Sequence, residues 1–165
     1  MIAYRSLVAC VAVGLVGCSG ASPVTDTGLK AMYEKNATSF EKLAAMFQED
    51  ERLQIIDRDG NAEGDAIDKE RLAEYRQMIK ELGLEGSMFV CLRSNGECLL
   101  EIAPRSKADE FEGYEGVGVR GIAFSTKELP VTDRLDTATI DKMSVDEKRY
   151  ISIAPRWYTF LNRMM

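Results

Sequence analysis

The sequence predicts an α+β domain, two or three N-terminal helices followed by an antiparallel sheet of about four to six strands. Three observations carry this. Apolar residues recur at helical spacing from Leu29 to Asp50 and again from Asp68 to Leu84. Two apolar runs then flank Ser94-Asn95-Gly96, a hairpin signal. Toward the C-terminus the pattern alternates, as strands with one buried face require.

The first residues read as an address. Arg5 precedes an apolar segment, Leu7 to Val16, about half of the roughly 20 apolar residues needed to span a bilayer. A charged start, a short apolar stretch and small residues at its end describe a secretory signal peptide over residues 1–17. The string Leu15-Val16-Gly17-Cys18 resembles the bacterial lipobox: aliphatic, variable, small, then cysteine. The resemblance implies a diacylglyceryl group on the Cys18 thiol, cleavage before Cys18 and acylation of the new amino terminus. Such a chain holds to the membrane through its lipid, since multiple acyl chains satisfy the two-signal requirement for stable anchoring. Under the enteric sorting rule, Ser19 after the cysteine implies the outer membrane, with the domain facing the periplasm.

Removal of residues 1–17 leaves 148 residues, enough for one domain with a real core. The 21 basic residues fall to 20 with the loss of Arg5, against 27 acidic ones, a balance of −7. An acidic chain of this kind is a poor partner for nucleic acid, which calls for a basic patch. No histidine occurs anywhere, which excludes Ser-His and Cys-His nucleophile pairs and His-bearing zinc sites. Of four cysteines, Cys10 leaves with the signal and Cys18 takes lipid, so Cys91 and Cys98 remain. An even pair in an oxidising compartment reads as a disulfide.

In order, residues 18–28 (Ser19, Gly20 and Pro23 among them) read as a flexible tether, and 29–165 as a single domain. Leu29 to about Asp50 is helical, with a weak patch at Asn36–Ser39 that allows one helix or two short ones. Leu53–Asp57 fits either a short strand or a last helical turn. Asp57, Asp59, Asn61 and Asp68 take the first, third, fifth and twelfth places of an EF-hand calcium loop. Ala62 replaces the turn glycine, Gly64 the usual apolar residue, and Asp68 is shorter than the bidentate Glu, so a solvated loop is expected and no metal site assigned. Asp68 then caps a helix ending at Gly83-Leu84 in a Schellman motif.

Met88–Arg93 and Glu97–Ala103 form the hairpin. A four-residue turn, Arg93 to Gly96, would set Cys91 directly opposite Cys98 and is expected for that reason. Gly116-Val117-Gly118-Val119-Arg120-Gly121 matches G-x-G-x-x-G, but a strand-like run follows it. A dinucleotide site needs a helix there, so a glycine-rich strand is expected and no nucleotide or other cofactor. Residues 128–146 read as mostly irregular, and Arg149–Ile153 and Trp157–Leu161 as paired strands. Tyr150, Trp157, Tyr158 and Phe160 are expected in the sheet core.

The lipobox, RLAEYRQMIKELGL, RGIAFS, LPVTDRLD and the terminal aromatic block together resemble small, uncharacterised proteobacterial lipoproteins. That resemblance implies helices followed by antiparallel strands and brings no activity, ligand or catalytic residue. The expected function is a non-catalytic, membrane-anchored module whose partner is an envelope protein or polymer. The alternative is a carboxylate-dependent, glycosidase-like hydrolase acting on a cell-envelope polymer, with Asp57, Asp59, Glu112 and Glu115 among its candidate carboxylates.

Overall fold

The structure is a computed structural model that describes residues 25–63, 66–104, 118–133, 143–144 and 147–163. Cys18, residues 1–24, Gly116, Val117, Glu112 and Glu115 lie outside them.

Helix α1 spans Asp26–Glu49. It begins before the expected boundary at Leu29, because the Thr25 hydroxyl accepts from Gly28 N at 3.1 Å and Asp26 places a negative charge in the first turn. Residues 26–28 therefore belong to the helix and not to a tether. The weak patch is a kink: Asn36 leaves helical geometry (φ −125°, ψ 23°), and its side-chain amide donates to the Met32 carbonyl at 3.0 Å.

Strand β1 is only Ile55–Ile56, and it falls between the helices, so the helices are not one N-terminal block. Helix α2, Lys69–Glu81, follows its sequence signals at both ends. The Asp68 carboxylate accepts from Arg71 N at 2.7 Å. Gly83 takes φ +67°, and Leu84 N and Gly83 N donate back to the Ile79 and Lys80 carbonyls, which is the Schellman pattern.

The remaining strands are β2 (Met88–Ser94), β3 (Glu97–Ala103), β4 (Gly118–Ser125), β5 (Lys148–Ala154) and β6 (Trp157–Arg163). Among the described residues they form, with β1, one antiparallel sheet of six strands in the order β1-β2-β3-β4-β6-β5. The architecture is α+β.

The β2–β3 register corrects one expectation. Ser94 pairs with Glu97 around a two-residue Asn95-Gly96 turn, not a four-residue one. Both turn residues have positive φ, 50° and 79°, the geometry whose twist matches the strands it joins. Cys98 consequently lies opposite Arg93, and Cys91 opposite Leu100.

The helices cover one face of the sheet. Phe40, Leu43 and Phe47 of α1 and Tyr75 and Ile79 of α2 join Phe89, Leu100, Ile102, Ile122, Phe124 and Trp157 from the strands in one buried cluster. Each such side chain contributes roughly 1.5–3 kcal/mol by leaving water. Phe47 sits between Tyr75 and Phe89, with ring centroids at 4.9 and 6.3 Å. Trp157 meets Tyr33, Phe40 and Phe124, and its indole N–H donates to Glu41 Oε1 at 2.7 Å. Arg93 closes the end of α1, donating to the Phe47, Asp50 and Leu53 carbonyls, where helix geometry leaves acceptors unpaired and favours positive charge. Asp50 in turn accepts from Arg71 Nε (2.7 Å) and the Tyr75 hydroxyl (2.8 Å), tying α1 to α2.

Candidate functional site

Side chains alternate across a strand, so the residues between those of the core point to the face that the helices leave uncovered. On β2 these are Met88, Val90 and Leu92, and on β3 they are Glu97, Leu99, Glu101 and Ala103. The two halves of this face differ in character.

The half built on β4, β6 and β5 is buried. Tyr150, Tyr158 and Phe160 cluster there with Ala123. Gly121 makes this arrangement possible: a Cβ at that position would overlap the Ile102 carbonyl oxygen and the Phe160 ring. Because Gly121 and Ala123 on this side of β4 carry little or no side chain, residues of β5 reach across toward β3. Lys148 Nζ lies 2.9 and 2.7 Å from the two carboxylate oxygens of Glu101, and the Tyr150 hydroxyl donates to Glu101 Oε1 at 3.2 Å. Glu101 is 8% exposed and is the one charged residue among those described that is buried as a whole. Burial first, and the neighbouring Glu101 charge second, push the Tyr150 phenol well above its ordinary range, so it stays protonated and remains a donor. The carboxylate is neutralised by an ammonium and hydrogen-bonded, an arrangement that holds β3 to β5.

The half built on β1, β2 and β3 is open and apolar. Leu92 is 50% exposed and Met88 37%. Half-buried Val90 lies between them along the strand, Leu99 stands opposite Leu92, and Ile55 stands opposite Val90. A strand rises about 3.4 Å per residue, so the exposed pair is roughly 14 Å apart. An exposed Glu97–Lys127 ion pair (3.5 Å) belongs to the same end of β3. This strip can bury apolar side chains of another molecule, and it offers no nucleophile.

The calcium candidates serve the backbone. Asp57 Oδ1 accepts from Asp59 N (3.0 Å) and Asn61 N (2.8 Å), and its Oδ2 accepts from Asn61 Nδ2 (3.3 Å). These bonds, led by the one from the Asn61 backbone, hold its carboxyl below the usual range. Asp59 is in the same turn, and Asp68 is occupied as the cap of α2. Among the described residues no three Cys, Asp or Glu side chains converge as metal ligands. The turn forms one wall of a mixed-charge cleft of about 350 Å³ against α2, lined also by Arg76, Lys80 and Glu85.

Of the G-x-G-x-x-G residues, Gly118 to Gly121 lie within β4, which runs on to Ser125, and residues 126–133 after it are not helical. Cys91 and Cys98 face the helices as free thiols with their sulfurs 2.9 Å apart. The expected aromatic group divides: Trp157 packs under the helices, and Tyr150, Tyr158 and Phe160 lie on the other face. Asp57 and Asp59 share an exposed turn where, among the described residues, no third acid joins them as a metal ligand, and Glu112 and Glu115 lie outside the described residues.

The Glu101–Lys148–Tyr150 centre was not among the sequence candidates. One signal was present, a charged residue interrupting the apolar run Cys98 to Ala103. A carboxylate inside a buried strand requires a partner. No helix among the described residues is long and apolar enough to cross a membrane. The chain matches no protein-family model, and comparison with curated proteins and with solved structures finds no match either.

Proposed function

We propose that this protein is a lipid-anchored module of the bacterial outer membrane, held through Cys18, whose domain faces the periplasm and binds an envelope protein without catalysis. The anchoring rests on the Leu15–Cys18 lipobox and the apolar run before it. The binding reading rests on one observation, the strip on the helix-free side of β2, where Leu92 is half exposed beside Met88, Val90 and Leu99. A contiguous exposed apolar strip fits apolar side chains of a protein better than the hydroxyl-rich surface of a sugar polymer. The hydrolase alternative draws no support from Glu101, whose partners are an ammonium and a phenol in place of a second carboxyl group.

The test is photo-crosslinking in intact cells from position 92 of the full chain, with position 77 on the exposed side of α2 as comparison. The expected result is a discrete protein adduct from 92 that is absent from 77 and lost when Met88 is changed to Glu. Equal labelling from both positions, or none from 92, rules the strip out as the binding surface.

A further inference from the structure

We propose that Cys91 and Cys98 are joined by a disulfide in the exported protein, bridging diagonal positions of the β2–β3 hairpin beneath the end of α1. The two-residue turn places Cys91 opposite Leu100 and Cys98 opposite Arg93, so the cysteines are diagonal neighbours on the same face. In a flat ladder the diagonal distance, about 7–8 Å between Cα atoms, exceeds the usual disulfide reach. Here the two sulfurs nevertheless stand 2.9 Å apart, within about 1 Å of a bonded separation. Rotation about the side-chain torsions closes the remainder without a change of register. Both residues are buried, at 1% and 6% exposure, and among the described residues each sulfur has the other as its near thiol.

Oxidation needs an acceptor, and the class required is a protein disulfide that oxidises thiols in the export compartment. The Cys98 thiolate attacks one sulfur of that disulfide and expels a thiolate, leaving a mixed disulfide. Cys91, having lost its proton, attacks the Cys98 sulfur and expels the second thiolate. Two electrons and two protons pass to the oxidant, which leaves as a dithiol. Cys98 is the first nucleophile on geometric grounds, being nearer the turn of the hairpin and the less buried of the two. The hydrogen bond from Cys91 and the charge of Arg93 favour its thiolate, whereas that same hydrogen bond and burial disfavour the thiolate of Cys91. Once formed, the bond fixes the strand segment carrying Arg93, whose guanidinium closes α1, and carrying Leu92 on the opposite face.

Arg93 lies between the two cysteines in sequence, which makes the test direct. Full-length protein from the membrane fraction is trapped with an alkylating agent, denatured without reductant and digested with trypsin. The expected product is peptide 81–93 linked to peptide 94–105, separating when reductant is added. Recovery of the two peptides separately, each alkylated before reduction or joined to another thiol, overturns the proposal. Reductant should also lower the urea midpoint of the wild-type protein and leave that of a Cys91→Ala/Cys98→Ala double variant unchanged. Equal sensitivity of the two proteins overturns it as well. The inference rests on the proposed export of the chain but not on its binding surface, since neither readout involves a binding partner.

Discussion

Lys148 holds Glu101 by both carboxylate oxygens, at 2.7 and 2.9 Å, although β4 and β6 lie between their strands in the sheet. The contact spans the face opposite α1 and α2 and is closed by the Tyr150 hydroxyl. It acts as a strut between the central sheet and its far edge.

Breaking the strut from one side leaves a charge stranded. Lys148→Met exposes the Glu101 carboxylate, whose side chain is 10% exposed, to an apolar setting and should cost about 3 kcal/mol. Glu101→Gln strands an ammonium that is 29% exposed and better able to reach water, so its cost should be smaller, about 1–2 kcal/mol. The double variant should recover most of the loss. Urea denaturation of the four proteins checks this, and additive losses in the double variant would refute the pairing.

Two glycines separate steric space from backbone conformation. Gly121→Ala meets the Ile102 carbonyl and the Phe160 ring, and should cost about 3 kcal/mol or more or prevent folding. Gly83→Ala has nothing within 4 Å of the new methyl group but must hold φ +67°, and should cost about 1 kcal/mol. Thermal melts of both decide it; similar losses would mean that β4 is looser than described.

Alkaline pH should unfold the protein through its buried phenols. The Tyr75, Tyr150 and Tyr33 pKa values are raised from 10.0 chiefly by burial, aided by Asp50, Glu101 and Glu41 respectively. Between the unfolded pKa, about 10, and the higher folded value, the unfolded chain releases protons that the native one retains. Stability is therefore full below pH of about 10 and falls as pH rises through that window. Phenolate absorbance should appear together with loss of circular dichroism, and Tyr150→Phe should make the fall shallower. Ionisation well ahead of unfolding would contradict the burial of these rings.

On the acid side the sign reverses. The Asp57 carboxyl is held low by the backbone N–H groups of its turn, so its contribution is present above its ordinary pKa of 3.8 and lost as pH drops through the folded value. Asp57→Asn should flatten that acid limb, as followed by denaturant midpoints across pH 2–5, in keeping with the carboxylate range.

Cys18→Ser should move the protein from the membrane fraction to the soluble periplasmic fraction while the denaturation profile of its domain stays the same. Continued sedimentation of the variant with membranes would remove the lipid anchor from the account.

Local chemistry was legible in the sequence wherever one or two residues decide the outcome. Helix α2 could be read from Asp68 at one end and Gly83-Leu84 at the other, because both caps act within a turn. The hairpin was legible, but its register follows the conformational demand of Asn95-Gly96 and not a direct pairing of Cys91 with Cys98. Turn chemistry governs, and the diagonal arrangement accommodates the sulfurs. The Glu101–Lys148 contact could not be read, since it depends on β6 inserting between β4 and β5, a sheet order that no local pattern encodes. The same holds for Arg93, whose carbonyl partners lie some forty residues earlier in the chain. The start of α1 was legible in principle from Thr25 and Asp26, but the small polar residues around them read as tether.

The place of β6 has a consequence for how the chain is made. It follows all the other strands in sequence, yet it lies inside the sheet, pairing with β4 on one side and β5 on the other. Until residues 157–163 have emerged from the ribosome, β4 and β5 have no partner between them and the sheet is incomplete. The order of the sheet is therefore completed only when the sixth of these strands is added. A message truncated before Trp157 would release a product with two bare strand edges, the kind of surface that drives chains into one another.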